Sequence, residues 1–174
     1  MRDISQKQNL CYDMGYIVNG RGEMSICFFI GHRDASASLY QWISLEVARH
    51  IKECGVTEFV VGHYGRFDRM AARAVRENKR QHPEIALTLL LPYYQSDISR
   101  YGNFDGAIYP PGMETTPKRL AIIRANRYMI AHCDYLIAYA KHIGSNTREF
   151  VEYAQRLAKR TGKPHITNLA ELKL

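Results

Sequence analysis

The chain has 174 residues, 46% hydrophobic and 24% charged, which suits one compact domain with a sizeable core. Its longest apolar runs, 25–30 and 86–91, have the length of buried strands and fall far short of a bilayer span. The formal net charge is +7 and arginine outnumbers lysine two to one, a balance that favours anionic partners and planar phosphate or carboxylate recognition.

Residues 1–24 have no apolar signal core, so a cytoplasmic location is expected, and no membrane partner. Tyr16-Ile17-Val18 followed by Asn19-Gly20 reads either as the first arm of a hairpin or as an arm that packs on a second subunit, which would make a homodimer. Residues 25–174 read as one domain. The run 25–30 is the first strand and ends in Gly31-His32-Arg33. A helix of about fifteen residues follows, with Leu39, Trp42, Ile43, Val47 and Ile51 on one face and Gly55 as its C-terminal cap. The second strand, 58–61, ends in Gly62-His63-Tyr64-Gly65, and a second helix is predicted over 67–81, closed by Pro83.

A third strand over 85–91 stops at Pro92, and a short fourth, 107–109, stops at Pro110-Pro111. Thr116-Pro117 reads as an N-cap with proline in the first helical position, opening a helix that carries Arg124, Asn126 and Arg127. The fifth strand is 135–139, the last long helix 147–160, and 164–167 reads as a sixth, edge strand. Near-continuous apolar strands alternating with helices imply a doubly wound, Rossmann-like α/β domain, a mostly parallel sheet with helices on both faces. In such folds ligands bind at the carboxyl ends of the strands, where strand order reverses.

That topology gathers Gly31, His32 and Arg33, then Gly62, His63, Gly65 and Asp68, then Gly144, Ser145, Asn146 and Thr147. Glycine lets backbone approach a ligand closely, and Ser, Asn and Thr at a helix start leave N–H groups for a phosphate. Taken singly each is better explained as a cap or a tight turn; three such turns at one edge favour a binding site. Leu120, Ile123, Arg127 and Ile130 share a helical face, so Arg127 is expected to turn toward the core beside Arg124 and to need an anion there: Asp134, Asp68 or a bound phosphate.

Arg66, Arg69, Arg73, Arg76 and Arg80 form a basic stripe on the second helix. It is either a solvated face paired with neighbours such as Glu77 or an electrostatic track for nucleic acid, and it lacks interleaved aromatics for base stacking. The four cysteines form no C-x-x-C pair, and the seven histidines have no metal-ligand spacing, so no metal is expected. The G-x-G-x-x-G and P-loop signatures are absent, as is the G-x-S-x-G elbow.

Phe29-Ile30-Gly31-His32-Arg33, Arg124-x-Asn126-Arg127-Tyr128-Met129-Ile130, Asp134-Tyr135-Leu136-Ile137-Ala138, and Gly144-Ser145-Asn146-Thr147 with Val151-Glu152-Tyr153-Ala154 resemble the YpsA-like branch of the SLOG superfamily, which takes in DprA (Smf) and the LOG cytokinin-activating enzymes. The resemblance implies a Rossmann-like fold and a pocket for a nucleotide or nucleotide derivative; a ligand of AMP or ADP-ribose type is the candidate for it, and no cofactor is assigned with certainty. It leaves three functions open: a sensor or regulatory module, an N-glycosidase or phosphoribohydrolase using Asp68, Glu149 or Glu114, and a DprA-like nucleic-acid binder. Against the LOG pattern P-G-G-x-G-T-x-x-E, this chain has lost the double glycine, and Glu149 stands two positions after the threonine instead of three.

Overall fold

The computed structural model describes residues 24–172; the hairpin or arm expected over 1–24 lies outside them except for Met24. Six strands form one all-parallel sheet in the order β4-β3-β2-β1-β5-β6. The chain runs β1 (Ile26–Gly31), α1 (Tyr40–Cys54), β2 (Glu58–Val61), α2 (Arg66–Lys79), β3 (Ala86–Leu90), β4 (Gly106–Ile108), α3 (Lys118–His132), β5 (Tyr135–Tyr139), α4 (Asn146–Thr161) and β6 (His165–Asn168). From β1 the chain steps outward through β2 and β3 to β4, then returns to place β5 on the other side of β1. Strand order therefore reverses between β1 and β5, which defines where a crevice opens at the carboxyl edge.

The doubly wound reading holds, and the alternation within β1 shows why. Cys27 and Phe29 belong to the core shared with α1 and α2, while Ile26, Phe28 and Ile30 belong to the core shared with α3 and α4. A strand buried on both faces needs apolar residues at every position, which is what makes its run continuous. In α1 the buried residues are Ile43, Val47, His50 and Ile51, and Gly55 ends the helix at φ 66°, the left-handed conformation that glycine adopts at least cost.

Two local expectations change. Pro117 is the N-cap of α3, not its first residue, and the Thr116 side chain does not cap the helix. Its Oγ1 donates to the Gly112 carbonyl at 2.9 Å and accepts from Arg124 Nη1 at 2.8 Å. The buried face of α3 is Ala121, Ala125 and Met129 with Ile130, so Arg127 faces solvent and Leu120 is 45% exposed. Ala121, Ala125 and Met129 at i, i+4 and i+8 define the face turned to the sheet, and that rotation carries Arg127 outward.

Candidate functional site

A cavity of 190 Å³ opens at the carboxyl edge of the sheet. Its floor is the end of β1 (Phe29, Ile30, Gly31) with Gly62 beyond β2 and Leu90 on β3; the first turns of α2 and α4 and one face of α3 form its walls. Of the residues singled out from the sequence, it is lined by Gly31, Arg33, Gly62, Gly65, Asp68, Asn126, Asn146 and Thr147. His32, His63, Arg124, Arg127, Gly144, Ser145, Glu149 and Glu114 do not line it. The apolar remainder includes Pro92, Ile122, Ile123 and Phe150, with the Tyr64 ring between polar and apolar parts. Sequence reasoning passed over these; Ile122 and Ile123 stand one helical turn before Asn126, a spacing that could have found them.

Asp68 is the third residue of α2 and reaches back to the start of its own helix, where its carboxylate accepts from Tyr64 N at 3.1 Å. Burial raises its pKa from about 3.8 to about 6, against the lowering effect of hydrogen bonds from the Tyr64 and Gly65 N–H groups and of the Arg69 and Arg33 charges. The positive end of α2 is thus already occupied by an internal anion. The first turn of α4 is different. Ser145 caps it by accepting from Arg148 N at 3.2 Å, while the N–H groups of Asn146 and Thr147, at the cavity wall, have no acceptor within the helix. Arg33 stands exposed at the rim, and its guanidinium has no hydrogen-bond acceptor among the described residues. The cavity lining therefore combines a carboxylate and a cation beside the start of α2, where the Arg33 charge opposes the burial that raises the Asp68 pKa, with backbone donors at the start of α4.

The glycines have tight internal reasons. A Cβ on Gly31 would lie 2.2 Å from the Phe67 ring, one on Gly65 2.8 Å from the Arg33 backbone, and one on Gly62 3.0 Å from Asp68 Oδ2. Gly144 differs: its φ is +75° and nothing lies within 4 Å of where a Cβ would stand.

Several of the residues outside the cavity have partners of their own. Arg127 lies over the Tyr153 ring at 5.6 Å, and its expected partner Asp134 instead accepts from Ile26 N at 2.9 Å and pairs with Lys163. The His63 ring lies between those of Tyr64 at 4.0 Å and Tyr101 at 4.4 Å, tilted against both, and its buried Nδ1 has no hydrogen-bond partner among the described residues. Burial lowers the His63 pKa, with the Arg100 charge adding to the effect. Glu149 and Glu114 are exposed. On α2, Arg73 pairs with Glu77 at 2.9 Å and lies over Tyr40, Arg76 lies over Phe104 and donates to Asn103 O, and Arg66 donates to Ala35 O. Much of the stripe is thus used in bracing α2 to its neighbours, with aromatic partners supplied from outside the helix.

A broader depression of 480 Å³ lies between the C-terminal end of α4 and the start of β6, lined by Gln155, Lys159 and His165 among others. It faces carbonyl groups at a helix C-terminus, which disfavours an anion. Among the described residues no helix is long and apolar enough to cross a membrane.

No family model matches the chain, and no curated protein matches it. Solved structures do resemble it. DNA processing protein A (DprA) from Streptococcus pneumoniae superposes with TM-score 0.58 at 16% identity, over 87% of this chain and 62% of that one. DprA from Helicobacter pylori, described for its single-stranded DNA binding mode, gives 0.54 at 19%, over 83% and 66%. The molybdenum cofactor binding protein from Rippkaea orientalis gives 0.50 at 15%, over 86% and 92%. The fold is thus DprA-like, and the chain spans less than two thirds of the first DprA chain and about two thirds of the second.

Proposed function

We propose that the chain is a nucleotide-binding module of sensor or regulatory type, of the YpsA-like branch, holding a nucleotide or nucleotide derivative of AMP or ADP-ribose type in the cavity at the β1, β2 and α4 ends. The observation that carries this is the lining of the cavity, which brings together backbone donors at the start of α4, a cation at the rim and one buried carboxylate. A phosphate suits the Asn146 and Thr147 N–H groups, because a helix N-terminus favours an anion, and Arg33 on the same cavity lining adds a guanidinium that favours one as well. Ribose hydroxyls suit Asp68, a carboxylate that accepts from O–H donors and repels phosphate. Asn126 offers an amide that both donates and accepts, and Tyr64, Pro92 and Ile123 offer apolar surface for a base. A cavity of 190 Å³ is below the roughly 300 Å³ of a typical small-molecule site, so it suits the sugar-phosphate, with the base at the rim.

A phosphoribohydrolase is the second reading. It is favoured by one fact: Asp68, alone of the three candidate carboxylates, lines the cavity, and its pKa of about 6 suits proton transfer near neutral pH. A DprA-like nucleic-acid role ranks third, because arginines of the α2 stripe are held in internal contacts.

Isothermal titration calorimetry of the full chain against AMP, ADP, ADP-ribose and inorganic phosphate tests the first reading. Micromolar binding of one nucleotide, weakened roughly tenfold or more by R33Q with an unchanged thermal midpoint, is expected. Absence of binding at millimolar concentration overturns it. Release of free base from a bound nucleotide, abolished by D68N, promotes the second reading.

A further inference from the structure

Four polar residues are buried among the described ones, His32, His50, Thr88 and Asn168, and two of them act on one short segment. Beyond β5 the backbone leaves the sheet and enters the turn to α4. Its N–H groups at Ala140, Lys141 and His142 would be unpaired there, and each meets a side chain from a flanking strand. Asn168, at the end of β6, accepts from Ala140 N at 3.1 Å. His32, just past β1, accepts at Nε2 from Lys141 N at 3.0 Å and from His142 N at 3.3 Å. The connection continues into α4: the Ser145 hydroxyl donates to His142 O at 2.8 Å and accepts from Arg148 N at 3.2 Å. An unbroken chain of hydrogen bonds therefore joins the end of β1 to the first turn of α4, the turn that carries Asn146 and Thr147 on the cavity wall.

We propose that His32 is a positioning residue: as a neutral imidazole it clamps the β5–α4 turn from one side while Asn168 holds it from the other, and this sets the helix N-terminus that receives the ligand's phosphate. The role of the clamp in binding rests on the nucleotide reading; the clamp itself does not. Both Nε2 bonds require that nitrogen to be an acceptor, so the proton sits on Nδ1. Protonation turns Nε2 into a donor facing two other donors, and the clamp opens.

The groups around the ring are Tyr139 of β5, edge-on at 5.7 Å, His142 of the turn at 4.6 Å between centroids, and Asp34 downstream of β1. Burial lowers the His32 pKa below its usual 6.5, His142 lowers it further, and Asp34 opposes. A folded-state pKa below the unfolded one means that the unfolded chain binds more protons. The contribution is therefore full above about pH 6.5 and is lost as pH falls through the folded value.

The test follows amide hydrogen exchange, as protection factors, at Lys141 and His142 in the wild-type chain, H32Q and H32L from pH 7.5 to 5. A glutamine oxygen replaces the Nε2 acceptor and does not titrate. Wild-type protection should fall roughly tenfold or more with acid, since two hydrogen bonds are released. H32Q should keep its protection throughout, and H32L should lack it at every pH. AMP affinity, measured in parallel, should follow the same pattern, and the wild-type-to-H32Q comparison cancels the titration of AMP and of Asp68. An acid-induced loss in H32Q equal to that of wild type, or full protection in H32L, overturns the clamp. Failure of AMP to bind wild type while the exchange pattern appears overturns the nucleotide reading and supports the clamp.

Discussion

Asp68 makes the protein work against itself at neutral pH, and replacing it should reveal this. Its carboxylate is held by backbone N–H groups at the start of α2, yet burial outweighs them and raises its pKa to about 6 from about 3.8. For a carboxyl group with a raised pKa, the folded state binds more protons than the unfolded between those two values. The stability it contributes is full below about pH 3.8 and is lost as pH rises through about 6. At 1.36 kcal/mol per pKa unit, ionised Asp68 at pH 7 costs about 3 kcal/mol relative to its protonated form.

D68N keeps an oxygen for Tyr64 N and removes the charge. Urea unfolding at pH steps from 4 to 7.5 measures the effect. His32, His50 and His63, all with lowered pKa values, slope the other way and are common to both chains. The D68N-minus-wild-type difference therefore isolates the aspartate. It should rise by about 3 kcal/mol between pH 4 and 7 in favour of D68N. A flat difference refutes the reasoning, because it would mean that water or local opening already solvates the carboxylate. If Asp68 binds ribose hydroxyls, the more stable variant should also bind nucleotide more weakly, the opposed signs expected of a site residue that is costly to stability.

Gly31→Ala should cost about 3 kcal/mol in chemical denaturation, because its Cβ meets the fixed base of the fully buried Phe67 ring; Gly144→Ala should cost only about 1–2 kcal/mol, the penalty of a positive φ in open space. Arg127→Leu should shift the thermal midpoint little, by about 1 kcal/mol or less, since it loses only an exposed contact with Tyr153; a loss of several kcal/mol would restore a buried ion pair. The triple variant R69Q/R73Q/R76Q should leave single-stranded DNA binding unchanged and weak at physiological salt. Submicromolar binding by wild type, with a log–log salt slope of about −0.7 per phosphate that the variant flattens, would promote the nucleic-acid role.

The fold was legible because each strand had a boundary chemistry. Gly31 ends β1 and Gly62 follows β2, Pro92 and Pro110 lie just past β3 and β4, and the strands between are largely apolar, with Thr88 the one polar residue inside β3. The face of α3 was not legible. Isoleucine outweighs alanine in any hydropathy pattern, so Ile123 and Ile130 drew the stripe through Arg127. The helix in fact buries Ala121, Ala125 and Met129 and gives Ile122 and Ile123 to the cavity. Buried alanines leave little trace in residue hydrophobicity, and a ligand cavity uses the same apolar residues as a core.

The glycines illustrate the same ambiguity from the other direction. Residue type alone marked the three glycine-bearing turns as places where backbone could approach a ligand. Gly31 meets Phe67, Gly62 meets Asp68 and Gly65 meets Arg33, so the ends of β1 and β2 and the first turn of α2 lock into one another. That contact needs glycine whether or not anything binds, which makes those positions evidence for a rigid floor. Gly144 has the opposite character, with open space where its side chain would be and a backbone conformation favouring glycine. It stands in the segment between the His32–Asn168 clamp and the capped start of α4. A rigid floor on one side and a pinned but uncovered turn on the other favour the proposed placement of a phosphate at α4, because the Asp68 carboxylate lies at the start of α2 and repels an anion there.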